Sequence, residues 1–346
     1  MRLGITIDMS GPSPKLDMDR VLEAERLGFA QVWTGEAYGT DAVTPATWML
    51  ARTTRIKVGT GIMQIPARTP ACAAMTVMTL QLMSGNRFLC GLGVSGPQVV
   101  EGWHGVRFGK PMTRTKEYIA IIRRILERKA PLEFHGTEYE IPYAGDDATG
   151  LGRALRSITH GDPDIPFYLA SITPAGLRTA GECADGVLPI FYSPEQPKIV
   201  SEPILAGMKK AGRPESLDRF DIAPYVRVKL GADVAACRDA IRPELALYIG
   251  GMGARSKNYY NDVAIKLGYE GAAITIQDLY LSGKKAEAAA AVPDRLIDEI
   301  SLVGPAERIK DRLAAWQDAA KDHSVGTMIL KGASVEALRV VAEAVL

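Results

Sequence analysis

The sequence predicts an α/β fold in which eight parallel strands and their helices close into a (β/α)8 TIM barrel with insertions. Strand-like and helix-like segments alternate from the first residues, and four such units fit within residues 1–94. Eight strand-like segments follow one another along the whole chain. The alternative is an open doubly wound sheet, which normally places a Gly-x-Gly-x-x-Gly turn after its first strand. This chain has DMSGPSP there, at 8–14, so the closed barrel accounts better for the pattern.

The first half of the chain contains four of these βα units. The first helix is expected to follow Asp17 as its N-cap and to end at Gly28. The helix after the third strand should have Pro70 in its first turn and Gly85 after its last turn. Such short connections require parallel strands with crossover helices. The predicted strands are LGITID (3–8), FAQVWTG (29–35), IKVGTGI (56–62) and RFLCGLGV (87–94).

The second half keeps the alternation but interrupts it twice. An amphipathic helix at 112–128 is followed by a short hairpin, EFHGTEYEI, with Gly136 in its turn, and by an irregular excursion at 142–164. A mostly helical insertion at about 233–322 precedes the last unit of what we expect to be one domain, residues 1–346. The remaining predicted strands are IPFYLAS (165–171), DGVLPIF (185–191), DIAPYVRVKL (221–230) and VGTMILKG (325–332).

Composition excludes several classes of partner. Hydrophobic residues make up 47% of the chain and charged residues 23%, and 41 basic against 40 acidic side chains give a net charge of +1. Because no basic stripe appears, we expect neither nucleic acid nor a membrane surface as a partner. The chain begins with a strand-like segment and no signal peptide, which predicts a cytoplasmic location. Its four cysteines form no CxxC pair and are predicted to be buried free thiols, and its four histidines are too dispersed for a metal site.

In a (β/α)8 barrel the active site lies at the carboxyl ends of the strands. The residues at these positions are mostly small or apolar, and they include no Ser-His-Asp set, no metal-ligand cluster and no paired carboxylates. This pattern predicts a protein whose cofactor carries the reaction while the chain supplies shape and a few polar contacts. Glycines there would let the backbone approach a flat ring, and the turn SITPAG at 171–176 could hold an anion.

Dispersed motifs in this order resemble the luciferase-like monooxygenase superfamily. They are VWTGE (32–36), GTGIMQIPARTP (59–70), MSGNRFLCGLGVSG (83–96), YLASITP (168–174), ADGVLP (184–189) and GPAERIKDRL (304–313). Two longer segments, GPQVVEGWHG (96–105) and YIGGMGARSKNYYNDVA (248–264), are similar to the branch that uses the deazaflavin coenzyme F420. The resemblance implies a luciferase-like barrel that transfers a hydride between C5 of coenzyme F420 and a small organic substrate.

The resemblance also assigns roles to individual positions. It implies that Glu36 is a catalytic acidic residue beside the ring, and that Ala37 replaces a histidine of the sugar-phosphate dehydrogenases, which argues against that reaction. Gly61 and Ile62 match a non-proline cis peptide that supports the ring. The implied cofactor-binding residues are Gly61, Ile62 and Gln64 at the ring, and Gly93, Val94, Ser95, Ser171, Ile172 and Thr173 along the side chain and phosphate.

Several alternatives remain open at this point. An FMN-dependent monooxygenase of the same fold is one, although an apolar Val94 stands where such relatives often carry a basic residue; a non-catalytic flavin-binding barrel is another. Glu36 could instead pair with an arginine, and His104 could face solvent or the cofactor tail. Core packing is expected for Met63, Met75, Met78, Met83 and Cys72, helix capping or anion binding for Arg255, Lys257 and Asn258, and a homodimer or homotetramer for the assembly.

Overall fold

Thirteen strands and fifteen α-helices make up the computed structural model, which describes all residues, 1–346. The strands are β1 (Arg2–Ile7), β2 (Gln31–Thr34), β3 (Lys57–Thr60), β4 (Met63–Gln64), β5 (Phe88–Gly93), β6 (Phe134–His135), β7 (Glu140–Ile141), β8 (Phe167–Leu169), β9 (Gly186–Val187), β10 (Asp221–Ile222), β11 (Tyr225–Leu230), β12 (Ser301–Gly304) and β13 (Thr327–Lys331).

The helices cover the outside of the sheet and build the insertion. They are α1 (Met18–Leu27), α2 (Val43–Arg52), α3 (Pro70–Ser84), α4 (Pro97–Gly102), α5 (Pro111–Glu127), α6 (Pro174–Cys183), α7 (Lys198–Lys210), α8 (Val234–Asp239), α9 (Arg242–Ala246), α10 (Tyr259–Lys266), α11 (Glu270–Leu281), α12 (Lys285–Ala290), α13 (Asp294–Ile300), α14 (Ala306–Lys321) and α15 (Val335–Val345). A 3-10 turn spans Ile65–Ala67 and a π-helical turn spans Leu247–Gly251.

The parallel strands close into a barrel, which confirms the predicted fold class. Hydrogen-bonded neighbours run in the order β10, β9, β8, β5, β3, β2, β1, β13, β11 and β12. The seventh predicted strand is divided at Pro224 into β10 and β11, since proline lacks a backbone N–H. Its first part pairs with β9. The backbone carbonyls of Ile222 and Pro224 accept from the N–H groups of Gly326, just before β13, and of Ile329 within β13. One divided strand therefore joins the two ends of the ring.

Two strands of the barrel sheet were not predicted from the sequence, the two-residue β4 directly after the third predicted strand and the longer β12. The region at 233–322 was expected to be helical, yet Ser301–Gly304 forms β12, which pairs in parallel with β11 at Leu302 and Val228. All four residues of β12 are buried. A four-residue apolar segment next to a helix is too short for its periodicity to distinguish strand from helix, so only the pairing partner reveals it.

Alternate residues of the strands fill the barrel interior, as the two-residue period of a strand requires. A buried layer consists of Trp33, Leu89, Tyr168, Leu188, Ala223 and Ile329, with Ile62 and Tyr225 packed against it. Towards the amino ends of the strands, Asp221 accepts hydrogen bonds from Gln31, Tyr168 and Thr327. This polar group closes the end of the barrel opposite the expected site.

The helix boundaries follow the predicted signals. Asp17 caps α1 by accepting from the Arg20 N–H, and Gly28 follows it with φ 93°. Helix α3 has Pro70 at its start and the left-handed Gly85 at its end. The hairpin of β6 and β7 is antiparallel, as expected. No helix of the structure is both long enough and apolar enough to cross a membrane.

The insertion has a core of its own. Residues of α8 to α13, with Phe191 and Val303, form a separate buried cluster that includes Leu245, Ile249 and Ile276. Two elements connect it to the barrel: Phe191, just beyond β9, and β12, which pairs with β11. The insertion is therefore anchored beside the carboxyl ends of the sixth and seventh barrel strands.

Three sequence expectations about buried residues were wrong. Met75 and Met83 are 64% and 71% exposed, and Cys72 is exposed, whereas Met63 and Met78 are buried as predicted. All four cysteines are free, and only Cys90 and Cys237 are fully buried. The three misplaced residues lie on α3, which is apolar on every side, so hydrophobicity alone could not identify its outer face.

Candidate active site

The carboxyl ends of β3 and β5 form one wall of the barrel mouth. The Gly61–Ile62 peptide is cis, as the sequence resemblance implied, and the Gly61 N–H donates to the Thr34 carbonyl at 2.6 Å. A Cβ at Gly59 would overlap the Trp33 ring, and one at Gly61 would overlap the Tyr225 hydroxyl. These two glycines therefore make room for aromatic side chains inside the barrel, a more specific reason than close approach to a ligand.

Ile62 and Gly93 bring β3 and β5 together at the mouth. A Cβ on Gly93 would overlap Ile62 Cδ1, so the isoleucine lies flat over the end of the neighbouring strand. Gly61 and Ile62 are both partly exposed, while Gly93 beneath is buried. The result is an apolar surface at the carboxyl end of the barrel, on which a planar ring could rest.

The Glu36 carboxylate is fully occupied by protein donors. Arg68 donates to both oxygens, at 2.6 and 3.1 Å, and the backbone N–H groups of Ala42 and Gln64 donate at 2.9 and 2.8 Å. The Glu36 side chain is only 6% exposed. Four hydrogen bonds use the acceptor capacity of a carboxylate. The geometry matches the arginine-paired alternative, and the catalytic role of Glu36 stays a prediction.

Gln64 connects this carboxylate to a histidine that the sequence left unassigned. Its Nε2 donates to the Ala37 carbonyl at 2.6 Å, so its Oε1 must accept, and it lies 2.9 Å from His104 Nε2. Neutral His104 consequently carries its proton on Nε2 and leaves Nδ1 as an acceptor. Gln64 is 1% exposed, and His104 is half-buried. The hydrogen bonds between Glu36 and Gln64 and between Gln64 and His104 hold the His104 imidazole at the mouth of the barrel.

The turn after β5 and the turn after β8 are neighbours. The Ala170 N–H donates to the Leu92 carbonyl at 2.9 Å, which places Ser171 beside the segment from Gly93 to Ser95. Ser95 has a left-handed backbone with φ 59°. Thr173 caps α6 by accepting from the Gly176 N–H at 3.1 Å. The hydroxyl-bearing residues of two adjacent strand ends, Ser95, Ser171 and Thr173, therefore lie in neighbouring turns at the mouth.

The opposite wall carries charge. Arg227, the third residue of β11, is level with Lys331 at the end of β13. Arg227 forms two hydrogen bonds to Glu244 of α9, at 2.9 and 2.8 Å, and Lys331 donates to the same carboxylate at 2.6 Å. Burial raises the pKa of Glu244, but Arg227 and then Lys331 outweigh burial and lower the pKa to about 2. The guanidinium also lies over the rings of Phe191 and Tyr248, at 5.5 and 5.8 Å.

Sequence reasoning found the residues of the first wall and missed those that connect them. The glycine and hydroxyl positions were evident from their place at strand ends. Arg68 and His104 lie far along the chain from Glu36 and Gln64, and Glu244 lies inside the insertion, so only the fold brings them to the mouth. A charged residue at an inward position of β11 was the one signal that pointed to Arg227.

Two further segments make contacts that are unrelated to a bound ligand. Within the excursion at 142–164, Ser157 and Gly161 lie against Met78 of α3, on the outside of the barrel. Asn258 caps α10 and Arg255 pairs with Asp278, which favours capping over anion binding for that segment.

Comparison with known proteins finds one family model and several relatives that match most of this chain. The model of the luciferase-like monooxygenase family matches residues 5–323. A putative coenzyme F420-dependent oxidoreductase of Mycobacterium tuberculosis is 41% identical over 98% of this chain and 97% of its own length. A 5,10-methylenetetrahydromethanopterin reductase of Methanolobus tindarius is 31% identical over 72% of each chain.

A solved structure has the same fold. The coenzyme F420-dependent tetrahydromethanopterin reductase of Methanopyrus kandleri superposes with a TM-score of 0.76 at 24% identity, covering 99% of this chain and 98% of the other. At this level of identity the match concerns the architecture, and it agrees with the barrel described above.

Proposed function

Because the chain belongs to the luciferase-like monooxygenase family, we propose that it is a coenzyme F420-dependent oxidoreductase. It would transfer a hydride between C5 of the deazaflavin and a small organic substrate. The extended similarity to the mycobacterial protein supports the choice of cofactor. The claim to be tested is that this chain binds the deazaflavin in the mouth of its barrel.

The proposal rests on the composition of the wall formed by the ends of β3 and β5. This wall has an apolar surface and neutral hydrogen-bond donors, and none of its side chains could perform redox chemistry. Ile62 lies over Gly93, and the Glu36 carboxylate is saturated by Arg68 and two backbone N–H groups. A site of this composition fits a reaction whose chemistry is supplied by a bound cofactor. Coenzyme F420 supplies a hydride donor or acceptor carbon when it is bound.

The residues of the wall divide into two groups by chemistry. Ile62 and Gly93 would hold the apolar face of the ring. Gln64, which was expected at the polar edge of the ring, is 1% exposed and would act from beneath the surface by holding His104. Ser95, Ser171 and Thr173 would donate to the phosphate and the polyol chain, with Val94 and Ile172 beside them. Glu36 would act by position, because its hydrogen bond to the Gln64 N–H fixes the residue that holds His104. His104 is the group of this wall that could exchange a proton with a substrate.

Coenzyme F420 is preferred over FMN because the anion-binding turns are uncharged. Val94 and Ser95 follow β5, and Ser171 to Thr173 follow β8, with no lysine or arginine among them. Arg114, in the neighbouring small cavity beside Val94, is engaged with Glu138 at 2.7 Å. A phosphate held by neutral donors alone suits a cofactor that gains further affinity from a longer tail.

Titration of the apo-protein with each cofactor tests this proposal. We expect quenching of F420 fluorescence with a Kd in the low micromolar range or below, about −8 kcal/mol, and weaker binding of FMN. Tight binding of FMN without measurable binding of coenzyme F420 would contradict the proposal and favour the flavin monooxygenase.

We also propose a homodimer formed by the outer face of α3. This face carries Met75, Leu82 and Met83, each more than half exposed, and Trp48 of α2 nearby is 56% exposed. An apolar patch of this kind on a globular domain typically marks an interface.

The four free cysteines support the expected cytoplasmic location.

A further inference from the structure

We call Arg227, Lys331 and Glu244 the charged wall of the mouth, and Ile62 with Gly93 the apolar wall. The strands that carry Arg227 and Lys331 lie across the barrel from the strands of the apolar wall. In the ring of eight strands, β11 is opposite β3 and β13 is opposite β5. The Tyr225 hydroxyl confirms this placement, because it crosses the barrel to within 3.4 Å of the Gly61 carbonyl. Arg227 follows Tyr225 by two residues, so it stands about 7 Å further along the strand, above the floor of the mouth.

Both cations keep donors that the protein does not use. Arg227 engages Glu244 through Nε and Nη2, while its Nη1 has no acceptor in the protein and is not among the atoms closed off from solvent. Lys331 Nζ makes one hydrogen bond, and its side chain is 33% exposed. Each residue therefore retains N–H groups that no protein acceptor uses.

The charges of this cluster do not balance. Arg227 and Lys331 contribute two positive charges and Glu244 one negative charge, which leaves one positive charge shared between a buried guanidinium and a partly exposed ammonium. Tyr248 and Tyr260 pack edge to face beside it, with centroids 4.8 Å apart. An arginine fork and an ammonium beside aromatic rings suit an organic anion with an apolar body.

We propose that Arg227 and Lys331 bind the carboxylate of the organic substrate, so that the substrate of this site is a monocarboxylic acid. One uncompensated positive charge matches one carboxylate, whereas a phosphate dianion would leave a negative charge unpaired. The inference rests on the proposed function, since it assumes that the substrate lies between the charged wall and the ring. Glu244 sets the strength of binding by competing for the same two cations.

If Arg227, Lys331 and Glu244 had a purely structural role, a different result would be expected. If Glu244 only fastens α9 to β11 and β13, loss of Glu244 and loss of Lys331 remove the same contact and act in the same direction. If the cluster binds a carboxylate, the two substitutions act in opposite directions on anion binding. This difference in sign separates the two roles.

The test is calorimetric titration of benzoate, benzamide and phenyl phosphate into the protein, with and without bound coenzyme F420. We expect benzoate to bind at least tenfold more tightly than benzamide, and phenyl phosphate no more tightly than benzoate. Lys331→Met should weaken benzoate about tenfold and Glu244→Gln should strengthen it severalfold, as Coulomb energies at a half-buried site indicate. Lys331→Arg, which keeps the charge, should bind benzoate within about threefold of the parent protein.

Two matched controls remove the same charges elsewhere. Lys57→Met lies at the opposite end of the barrel, and Glu202→Gln lies on the outer face of α7 without an ion pair. Both side chains are exposed, and neither substitution should change benzoate affinity more than twofold. Equal binding of benzamide, tighter binding of phenyl phosphate, absence of benzoate binding, or weakening by both Lys331→Met and Glu244→Gln would overturn the proposal. Benzoate binding that persists while coenzyme F420 fails to bind would refute the proposed cofactor and leave the carboxylate site standing.

Discussion

The carboxylate of Glu36 accepts four hydrogen bonds, and this number bears directly on what the residue can do. Two come from Arg68, and two come from the backbone N–H groups of Ala42 and Gln64. An acidic side chain that serves as a proton donor needs a free oxygen, which this one lacks. Its more direct effect is to hold the loop after β2 against the end of β4.

Replacement of Glu36 by glutamine should reduce stability without removing a titrating group from the reaction. The substitution leaves the largely buried Arg68 charge with only the more distant Asp41, at 4.0 Å, as a counter-charge, which we expect to cost about 3 kcal/mol in the free energy of unfolding. The double variant Glu36→Gln with Arg68→Met should regain part of this loss. Urea unfolding measures both. Loss of one limb of the pH–kcat profile in Glu36→Gln would instead show that the carboxylate takes part in proton transfer.

Gly93 and Gly91 lie two residues apart on β5, so the effects of the same substitution at the two positions can be compared. A methyl group at Gly93 meets the flexible end of Ile62, so Gly93→Ala should push Ile62 towards the ring and weaken coenzyme F420 about fivefold with little loss of stability. A methyl group at Gly91 meets the Thr60 backbone carbonyl, so Gly91→Ala should cost about 2 kcal/mol or more of folding free energy. Fluorescence titration and thermal melts compare the two, and equal cofactor affinity in Gly93→Ala and the parent protein would contradict the placement of Ile62.

Among the elements, a charged contact adds to the apolar contacts that anchor the insertion to the barrel. Helix α9 supplies Glu244, while β11 and β13 supply Arg227 and Lys331. The π-helical turn that follows α9 places Tyr248 against the same arginine. Such turns are frequent at functional sites, and here it sets an aromatic ring beside the mouth.

Acid should loosen this contact before it unfolds the barrel. The pKa of Glu244 is lowered from 4.5 to about 2 in the folded protein, against the opposing effect of burial, mainly by Arg227. A carboxyl whose folded pKa is depressed contributes stability above its unfolded pKa and loses it as the pH falls towards the folded value. Between pH 4.5 and about 2, hydrogen exchange in α9 and α10 should therefore rise earlier than in β1 or β5. The same rate of exchange in Glu244→Gln and the parent protein at neutral pH would contradict this.

At the scale of the whole molecule, the sequence was informative where periodicity and backbone signals agree. Asp17, Pro70 and Gly85 marked helix ends that the structure confirms. Burial was predicted less well, because α3 is apolar on all sides and its outer residues, among them Met75, offered no contrast. The strand β12 was missed because four apolar residues carry no distinguishing period.

The same limit applies to the candidate site. Its glycines and hydroxyls stand at strand ends, where the fold class alone directs attention. The pairs of Glu36 with Arg68 and of Gln64 with His104 span 32 and 40 residues, and the sequence holds no signal for such contacts. The interpretation of the glycines also changed, since Gly59 makes room for Trp33 and not for a ligand.

The exposed face of α3 yields a prediction about assembly. Met75 and Leu82 lie seven residues apart on that face, and both are exposed in the single chain. Two copies that pack these faces together would bury them, so the protein should elute as a dimer. Light scattering after gel filtration should show Met75→Glu with Leu82→Glu to be monomeric and still folded. A parent protein that is monomeric at about 50 μM, well above the Kd of a stable dimer, would contradict the proposal.

If the reaction takes place on a ring held between Ile62 and the charged wall, a crystal structure with coenzyme F420 should show the ring there. We predict a deazaflavin ring in van der Waals contact with Ile62 and its phosphate within hydrogen-bonding distance of Ser95, Ser171 or Thr173. The carbon that carries the hydride should face Arg227 and Lys331 across an open space. A ring bound away from Ile62 would contradict the proposed cofactor site. A cofactor phosphate bound at Arg227 and Lys331 would contradict the proposed substrate site.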